Sequence, residues 1–544
     1  MAKFSNRKIR SGGSVLGLAP TATTAGTTRT HEGDVAHPLA VKTELFTLAL
    51  TNLVGEPTFY ESTTNRDRRF AELVHAVTVE DPEWVANFVP FLRDTAQLRS
   101  ASIVVAAEYA KAGGPNARQV IASALRRADE PAEMLGYWLG AHGRAVPMAV
   151  KRGIADGACR LYNERSALKY DGASRGVRMG DVLELTHPKP RDDAQSALFK
   201  HLLDKRHGHV DQSPENVDHV VRELAVTLPR LAAAHQLEML PAESRRAVLR
   251  DGHDRLAEAG FTWERLSGWL PPNRDGVVLD AEAWASIIPS MGYMALLRNL
   301  RNFEQADVDA DTLGYVAAKL ADPREVAASR QFPYRFWSAY KHSGTMLFGP
   351  ELERALQLSL ANVPALPGRS LVLIDTSGSM QTPISGHSGV QAFEIGAVFA
   401  AAVADAAARA GGTADLVLYA TGSARQKVHP SVLRTVQDVA GRIGEVGHGT
   451  DTWKNAKRWF DGHDRVFVFT DMQDHPGNAR SGVDRWPCPI YVWDLRGYGK
   501  ANLDTGRGRY LFAGFTDAAF RLVPLLESGR DAAWPWEHQR AIAV

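Results

Sequence analysis

Apolar residues recur at three- and four-residue spacing across Lys42 to Val54, Arg66 to Val79, Glu83 to Arg93, Ala101 to Ala112, Arg118 to Arg127 and Ala132 to Gly140. That period predicts one amphipathic helix after another. Glycine and proline punctuate the series at Gly55 with Pro57, at Gly113-Gly114-Pro115 and at Pro131, leaving connections short enough for antiparallel helical hairpins. The expectation is an all-α, HEAT-like repeat module over residues 36–362, with irregular repeat lengths that leave its curvature open. The stretch Ala361-Asn-Val-Pro-Ala-Leu-Pro367-Gly-Arg-Ser then breaks the pattern. Beyond it, apolar strands at 371–375, 414–420, 466–470 and 489–494 alternate with helices near 391–410, 431–443 and 452–460. Such alternation predicts a parallel, doubly wound, Rossmann-like α/β domain over 368–544. The chain therefore reads as multidomain, a helical module followed by an α/β domain. Trp534 and Trp536 in the tail are candidates for folding back onto the helices.

Composition supports this division. A chain of 544 residues with 44% apolar residues needs more than one core and has ample material to bury. Residues 1–35 differ: they carry Lys3, Arg7, Lys8 and Arg10 and the run Ala-Thr-Thr-Ala-Gly-Thr-Thr, with few bulky apolar groups, and read as a disordered basic arm rather than a signal peptide. Order is expected to begin near Val41. The longest apolar run, Ile395 to Ala404, is too short for a bilayer, which takes about 20 residues. Cys159 and Cys488 are far apart and fit neither a disulfide framework nor a zinc site, which suits a reducing cytoplasm. A formal net charge of +1 selects neither nucleic acid nor membrane globally, so a charged partner must be met by a local patch.

Candidate chemistry enters at Leu371-Val-Leu-Ile-Asp375-Thr-Ser377-Gly-Ser379-Met380, where a buried strand runs into three oxygen ligands. Open α/β sheets place ligands at this carboxyl edge. One carboxylate and two hydroxyls suit Mg²⁺ or Mn²⁺, which favour octahedral oxygen shells and keep several waters. Gly447-His-Gly-Thr450-Asp451 and Val466-Phe-Val-Phe-Thr470-Asp471 supply two further ligands, Thr450 and Asp471. These residues resemble the metal-ion-dependent adhesion site (MIDAS) of von Willebrand factor A domains, in which Asp-x-Ser-x-Ser is followed by a distant Thr and then an Asp. His448 stands where many relatives have glycine. A plain Asx turn with loop serines would explain the first segment alone, but not the coincidence of three elements.

The helical half contains a cationic segment. Residues 141–190 hold nine bases, among them Arg144, Lys151, Arg152, Lys169, Arg175 and Arg178, against five acids. If the first part is helical, Lys151 and Arg152 lie about two turns from Arg144 and roughly on its face. The stretch from Lys169 to Arg178 contains glycine and reads as a loop able to follow a phosphate backbone, with Tyr170 and His187 offering planar faces to unpaired bases. A basic run on a helical protein is more often a solvated face. The segment, with Leu185-Thr-His187-Pro-Lys189-Pro190, resembles the signature region of TROVE-module proteins, the family of the Ro ribonucleoprotein autoantigen, here in a bacterial form. Met294-Ala-Leu-Leu-Arg298-Asn299-Leu300 and Pro333-Tyr-Arg335-Phe-Trp-Ser-Ala-Tyr340 resemble further blocks of that family, and the order of helical module then A domain agrees.

The resemblance implies a ring of helical repeats whose basic outer surface holds small noncoding Y-like RNA, and whose central hole admits the single-stranded 3′ ends of misfolded RNA. It implies a role in RNA quality control, with room for an exoribonuclease partner, and no membrane or DNA partner. On the same ground Lys169, Arg175, Arg178 and His187 are outer-surface RNA contacts and Lys151, Arg152 and Arg298 are candidates for the rim or cavity, with Arg144 a further RNA-binding candidate. His187, before a proline, could equally be a capping residue, and Arg298 a buried partner of an acid. Binding rather than turnover is expected: no nucleophile and base pair is evident, the serines lack the Gly-x-Ser-x-Gly elbow, and His448 is a weak base. A protein-docking adaptor working through the cation is the competing expectation. A metal-dependent nuclease is disfavoured by the absence of a second carboxylate cluster about 4 Å away.

Overall fold

Alternating short loops and apolar stripes give the helices that the periodicity expects: Val41–Thr51, Thr63–Glu80, Pro82–Pro90, Arg99–Lys111, Ala117–Ala124 and Glu130–His142. The computed structural model describes residues 28–51, 58, 60–172, 175–211, 213, 216–251, 253–343, 347–360, 363–386, 388–475, 486–502, 508–515, 520, 523–527, 534 and 536. The basic run Lys3 to Arg10 therefore lies outside the described residues, as do 52–54 of the first expected helix. Local capping sets several helix starts. The Asp81 side chain accepts the Trp84 N–H at 3.0 Å, and the Ser62 hydroxyl accepts from Asn65.

Order begins earlier than Val41. Two short strands, β1 (Thr28–Arg29) and β2 (Val35–Pro38), pair antiparallel. The α/β part supplies β3 (Arg369–Asp375), β4 (Thr413–Tyr419), β5 (Ser423–Gln426), β6 (Arg465–Thr470), β7 (Ile490–Asp494), β8 (Lys500–Ala501) and β9 (Arg509–Ala513). β2 also pairs with β8, so β1, which lies in the expected loose arm, becomes one strand of a small three-stranded sheet. The main sheet has the order β5-β4-β3-β6-β7-β9, parallel throughout except for β5.

β6 and β7 are buried along their whole length, as is β3 beyond Arg369, because helices cover both faces. On one face Gly396 of the helix Ala392–Arg409 would bring a Cβ to 3.2 Å from Phe469 and 3.7 Å from Ile374. On the other, Trp453 of the helix Thr452–Trp459 packs with Leu371, Leu373, Val417, Val466 and Val468. The four expected strands and three expected helices are thus present to within a few residues. β2, β5, β9 and the two-residue strands are additions.

The chain packs as two compact units. One is built on Tyr109–Glu325 and His342–Phe348. The other joins the described residues up to Glu108 with Val326–Lys341 and the chain from Gly349 onward. Within this second unit the first helices sit so close to the loops of the sheet that only glycine fits. A Cβ on Gly497 (φ 70°) would fall 2.2 Å from Thr51 Oγ1, and one on Gly514 (φ 98°) would fall 2.9 Å from Leu50. The buried Arg66 guanidinium donates to the Arg496 carbonyl at 2.9 Å, and Trp337 Nε1 donates to Glu394 at 3.0 Å. The tail closes on the same unit. Trp534 and Trp536 stack on each other with ring centroids 5.7 Å apart and pack against Phe46 and Trp84.

Glu353 of the helix Gly349–Ser359 caps a second helix across the unit. Its carboxylate accepts the Val432 and Leu433 N–H groups at 2.9 and 3.0 Å and the Ser431 hydroxyl at 2.7 Å. Glu353→Ala leaves two helix N-terminal donors without this acceptor and is expected to cost about 1.5 kcal/mol in urea unfolding.

Candidate functional site

The carboxyl edge of the sheet gathers the expected cation ligands. β3 ends on Asp375 and β6 runs through Thr470 to Asp471. Asp375 Oδ1 accepts the Ser377 N–H at 2.9 Å, the turn that throws the two serines under the strand end, and its Oδ2 accepts the Thr470 hydroxyl at 2.6 Å. The Ser377 and Ser379 hydroxyls lie 3.4 Å apart. The Thr450 loop is pinned over them: Gly378 N–H donates to the His448 carbonyl at 3.0 Å, and His475 N–H donates to the Thr450 carbonyl, also at 3.0 Å. Asp375, Ser377, Ser379, Thr450 and Asp471 are all at most 5% exposed. His448 is exposed and takes part through its backbone.

Electrostatics mark the same place. Burial, with the Asp471 charge adding to it, raises the Asp375 carboxyl above its ordinary range. Burial likewise raises Asp471, with the Ser379 hydroxyl and Arg496 opposing. Asp471 Oδ2 is buried without a hydrogen-bond partner. Two desolvated carboxylates, hydroxyls and an orphan oxygen form a hard, anionic donor set that a divalent cation satisfies. Among the described residues no three His, Cys, Asp or Glu side chains converge in a metal cluster. The site residues fit a cation held by two acids and hydroxyls that keeps waters.

In the first unit the expected RNA residues fall into three groups. Lys169, in the last turn of the helix Glu164–Tyr170, and Arg175, in the loop after it, place their cations 5.3 and 5.9 Å from the Tyr170 ring centroid. Arg127, from much earlier in the chain, joins them at 5.2 Å. The ring is thus ringed by cations rather than bare. Asp129, 2% exposed, is the local counter-charge, 2.6 Å from Arg127 and 3.8 Å from Arg175.

Arg178 forms the second group alone: it pairs with the buried Asp171 at 3.0 Å, and Asp171 Oδ1 accepts the Met179 N–H at 3.0 Å. Its guanidinium is an anchor of the loop before it is anything else.

The third group consists of single residues, all but Lys151 exposed. His187 ends the helix Met179–Thr186 in the left-handed conformation (φ 48°), so the capping role is realised while its side chain stays exposed. Arg152 is exposed and Lys151 half-buried on the helix Met148–Leu161, and Arg298 is exposed on Tyr293–Gln305 rather than buried against an acid. Arg144 is exposed but precedes the helix, which starts after Pro147, so it does not share a helical face with Lys151 and Arg152.

Helices leading into a doubly wound sheet, with the ligand edge at Asp375, define a class of two-part α then α/β proteins. Residues 258–349 match the TROVE domain family. The RNA-binding protein RO60 of Deinococcus radiodurans is 28% identical over an aligned length of 271, covering 46% of this chain and 44% of that protein. The match therefore spans less than half of that relative. The crystal structure of the Deinococcus radiodurans RO (RSR) protein shares the fold, with a TM-score of 0.57 at 20% identity over 90% of this chain and 100% of that one.

Proposed function

We propose that this protein binds RNA, holding small noncoding Y-like RNA on the cationic surface around Tyr170, and acts in RNA quality control or as an adaptor for RNA decay in the cytoplasm. The observation that carries the reading is the gathering of Arg127, Lys169 and Arg175 over one tyrosine ring in a chain of net charge +1. Phosphate contacts supply affinity, and cations held against a ring are placed before the ligand arrives. Arg152, Arg144, Lys151, Arg298 and His187 extend the contact. Single-stranded 3′ ends of misfolded RNA enter the central hole expected of such helical modules, and an exoribonuclease docks alongside. The similarity to an RNA-binding protein of Deinococcus radiodurans supports the RNA class. Among the described residues no helix is long and apolar enough to cross a membrane.

Asp375, Ser377, Ser379, Thr450 and Asp471 would hold one Mg²⁺ or Mn²⁺. The cation supplies a Lewis-acidic attachment point for an oxygen of a bound partner. The chain's own residues do the positioning: Thr470 orients Asp375, and the backbone pins from Gly378 and His475 hold the Thr450 loop in place. The orphan Asp471 oxygen also favours a second reading, a cation-dependent protein adaptor, in which a partner's acidic side chain completes the shell. Binding without turnover is proposed in both.

Purification from the native cell at low salt, followed by sequencing of the copurified nucleic acid, tests the choice. Small structured RNAs and RNA fragments with free 3′ ends are expected, with no DNA. Incubating RNA with the protein and Mg²⁺ is expected to leave it uncleaved. A preparation free of RNA, with a protein partner lost on Asp375→Ala or chelation, would install the adaptor reading instead.

A further inference from the structure

The cation reading above is the footing for an inference about an acid that its residue pattern leaves out. Asp494 ends β7, the neighbour of β6. The register pairs Ile374 with Phe469 and Thr470 with Asp494, so Asp375, Thr470 and Asp494 form one lateral row across three parallel strands. Laterally paired residues point to the same side of a sheet. The hydrogen bond from Thr470 to Asp375 is the visible half of that row.

Asp494 Oδ1 is fixed by the Arg496 and Gly497 N–H groups at 2.7 and 2.8 Å, whereas its Oδ2 is buried without a hydrogen-bond partner. Asp471, one residue past Thr470, carries the second such orphan oxygen, and its charge reaches Asp494. Buried carboxylate oxygens without donors are costly unless a cation or a water satisfies them.

The nearby guanidiniums do not fill the gap. Arg66 Nη2 donates to the Arg496 and Thr51 carbonyls at 2.9 and 3.2 Å, and Arg496 Nη2 donates to the Thr382 carbonyl at 2.7 Å. Among the described residues no three acids converge closely enough to share one ion directly, so a link from Asp494 to an ion would run through a water.

We propose that Asp494 is a positioning residue of the cation site, whose free Oδ2 accepts a hydrogen bond from a water carried by the cation that Asp375 and Asp471 hold. This arrangement orients the hydrated face of the ion and adds a third negative charge behind it. It selects a small cation that keeps its waters, Mg²⁺ or Mn²⁺, over Ca²⁺, which takes a larger shell of protein oxygens.

Mn²⁺ binding to the full chain, followed by the EPR signal of free Mn²⁺ with Mg²⁺ and Ca²⁺ as competitors, tests the proposal. Asp494→Asn keeps the side-chain shape and the Oδ1 acceptor, and is expected to weaken Mn²⁺ about tenfold and to narrow the preference for Mg²⁺ over Ca²⁺. Asp405→Asn, at an exposed acid paired with Arg409, is expected to change neither. Melting in EDTA provides the structural readout. If Asp494 were only a counter-charge for Arg66, the Asn variant would melt lower with Mn²⁺ affinity unchanged, and that result overturns the role. A wild-type protein that takes up no Mn²⁺ removes the cation reading itself, which is a different failure.

Discussion

Charge reversal at Lys169 and Arg175 together is expected to weaken binding of a small structured RNA about 100-fold at low salt, and to lower the slope of log affinity against log salt by about 2. The reasoning is local. Both cations lie against the Tyr170 ring, and Asp129 offsets only part of the charge there, at 3.8 Å from Arg175 and far closer to Arg127. Reversal therefore turns a positive patch negative without emptying a core site. Gel shifts across a salt series on the double variant read both quantities.

Two controls separate charge from folding. Lys200→Glu, at a surface lysine already paired with Asp204, is expected to leave binding within twofold, because an exposed ion pair on a separate helix contributes little. Arg178→Glu sets a second acid against the buried Asp171, leaving it Lys205 at 3.4 Å as its ion-pair partner, and its first effect is a lower melting temperature. A double variant that binds as tightly as wild type at every salt concentration would end the RNA reading of this surface.

What the sequence could and could not convey follows from the range of each interaction. Runs such as Leu371 to Ile374 and Val466 to Phe469 announce strands covered on both faces, and they lie within a residue or two of the observed ends. The candidate ligands were legible for the same reason, since each follows directly on a strand or a glycine-marked loop. β5, Ser-Ala-Arg-Gln, is a polar edge strand, and β1 and β8 are two residues each, too short to leave a period.

Partnership at a distance was illegible. Counting bases cannot distinguish Lys169, exposed, from Arg178, committed to a buried acid, because Asp171 reveals its role only once the loop closes. Arg127 reaches Tyr170 across more than forty residues of chain and left no local signal. The placement of the first helices with the sheet rests on Gly497 and Gly514, whose significance is visible only when Thr51 and Leu50 stand against them. Asp494 was visible as an acid at a strand end, but its relation to Asp471 depends on strand order.

The buried acids also set an expected pH signature for the cation. Burial raises Asp375 and Asp471 above the ordinary carboxylate range and pushes Asp494 up to about 6. A carboxyl whose folded pKa is raised contributes stability that is fully present below its unfolded value, about 4, and is lost as pH rises through the folded value. The cation-free protein is therefore expected to lose stability progressively from about pH 4 to above pH 6, as these acids are forced to ionise in a dry setting. A divalent cation offsets that loss only where the acids are ionised, since protonated carboxyls do not hold it.

Mg²⁺ at a hundredfold excess over its Kd adds about 2.7 kcal/mol, which corresponds to a rise of about 4 °C in the melting temperature of a unit this size. That rise is expected at pH 8 and is expected to shrink towards nothing at pH 5. Asp375→Asn removes one of the two repelling charges, so it is expected to melt higher than wild type in EDTA at pH 8 while showing no response to Mg²⁺. Differential scanning calorimetry at the two pH values, with and without Mg²⁺, measures all of these shifts. A Mg²⁺ response of equal size at pH 5 and pH 8, or one that survives Asp375→Asn, would place the ion elsewhere.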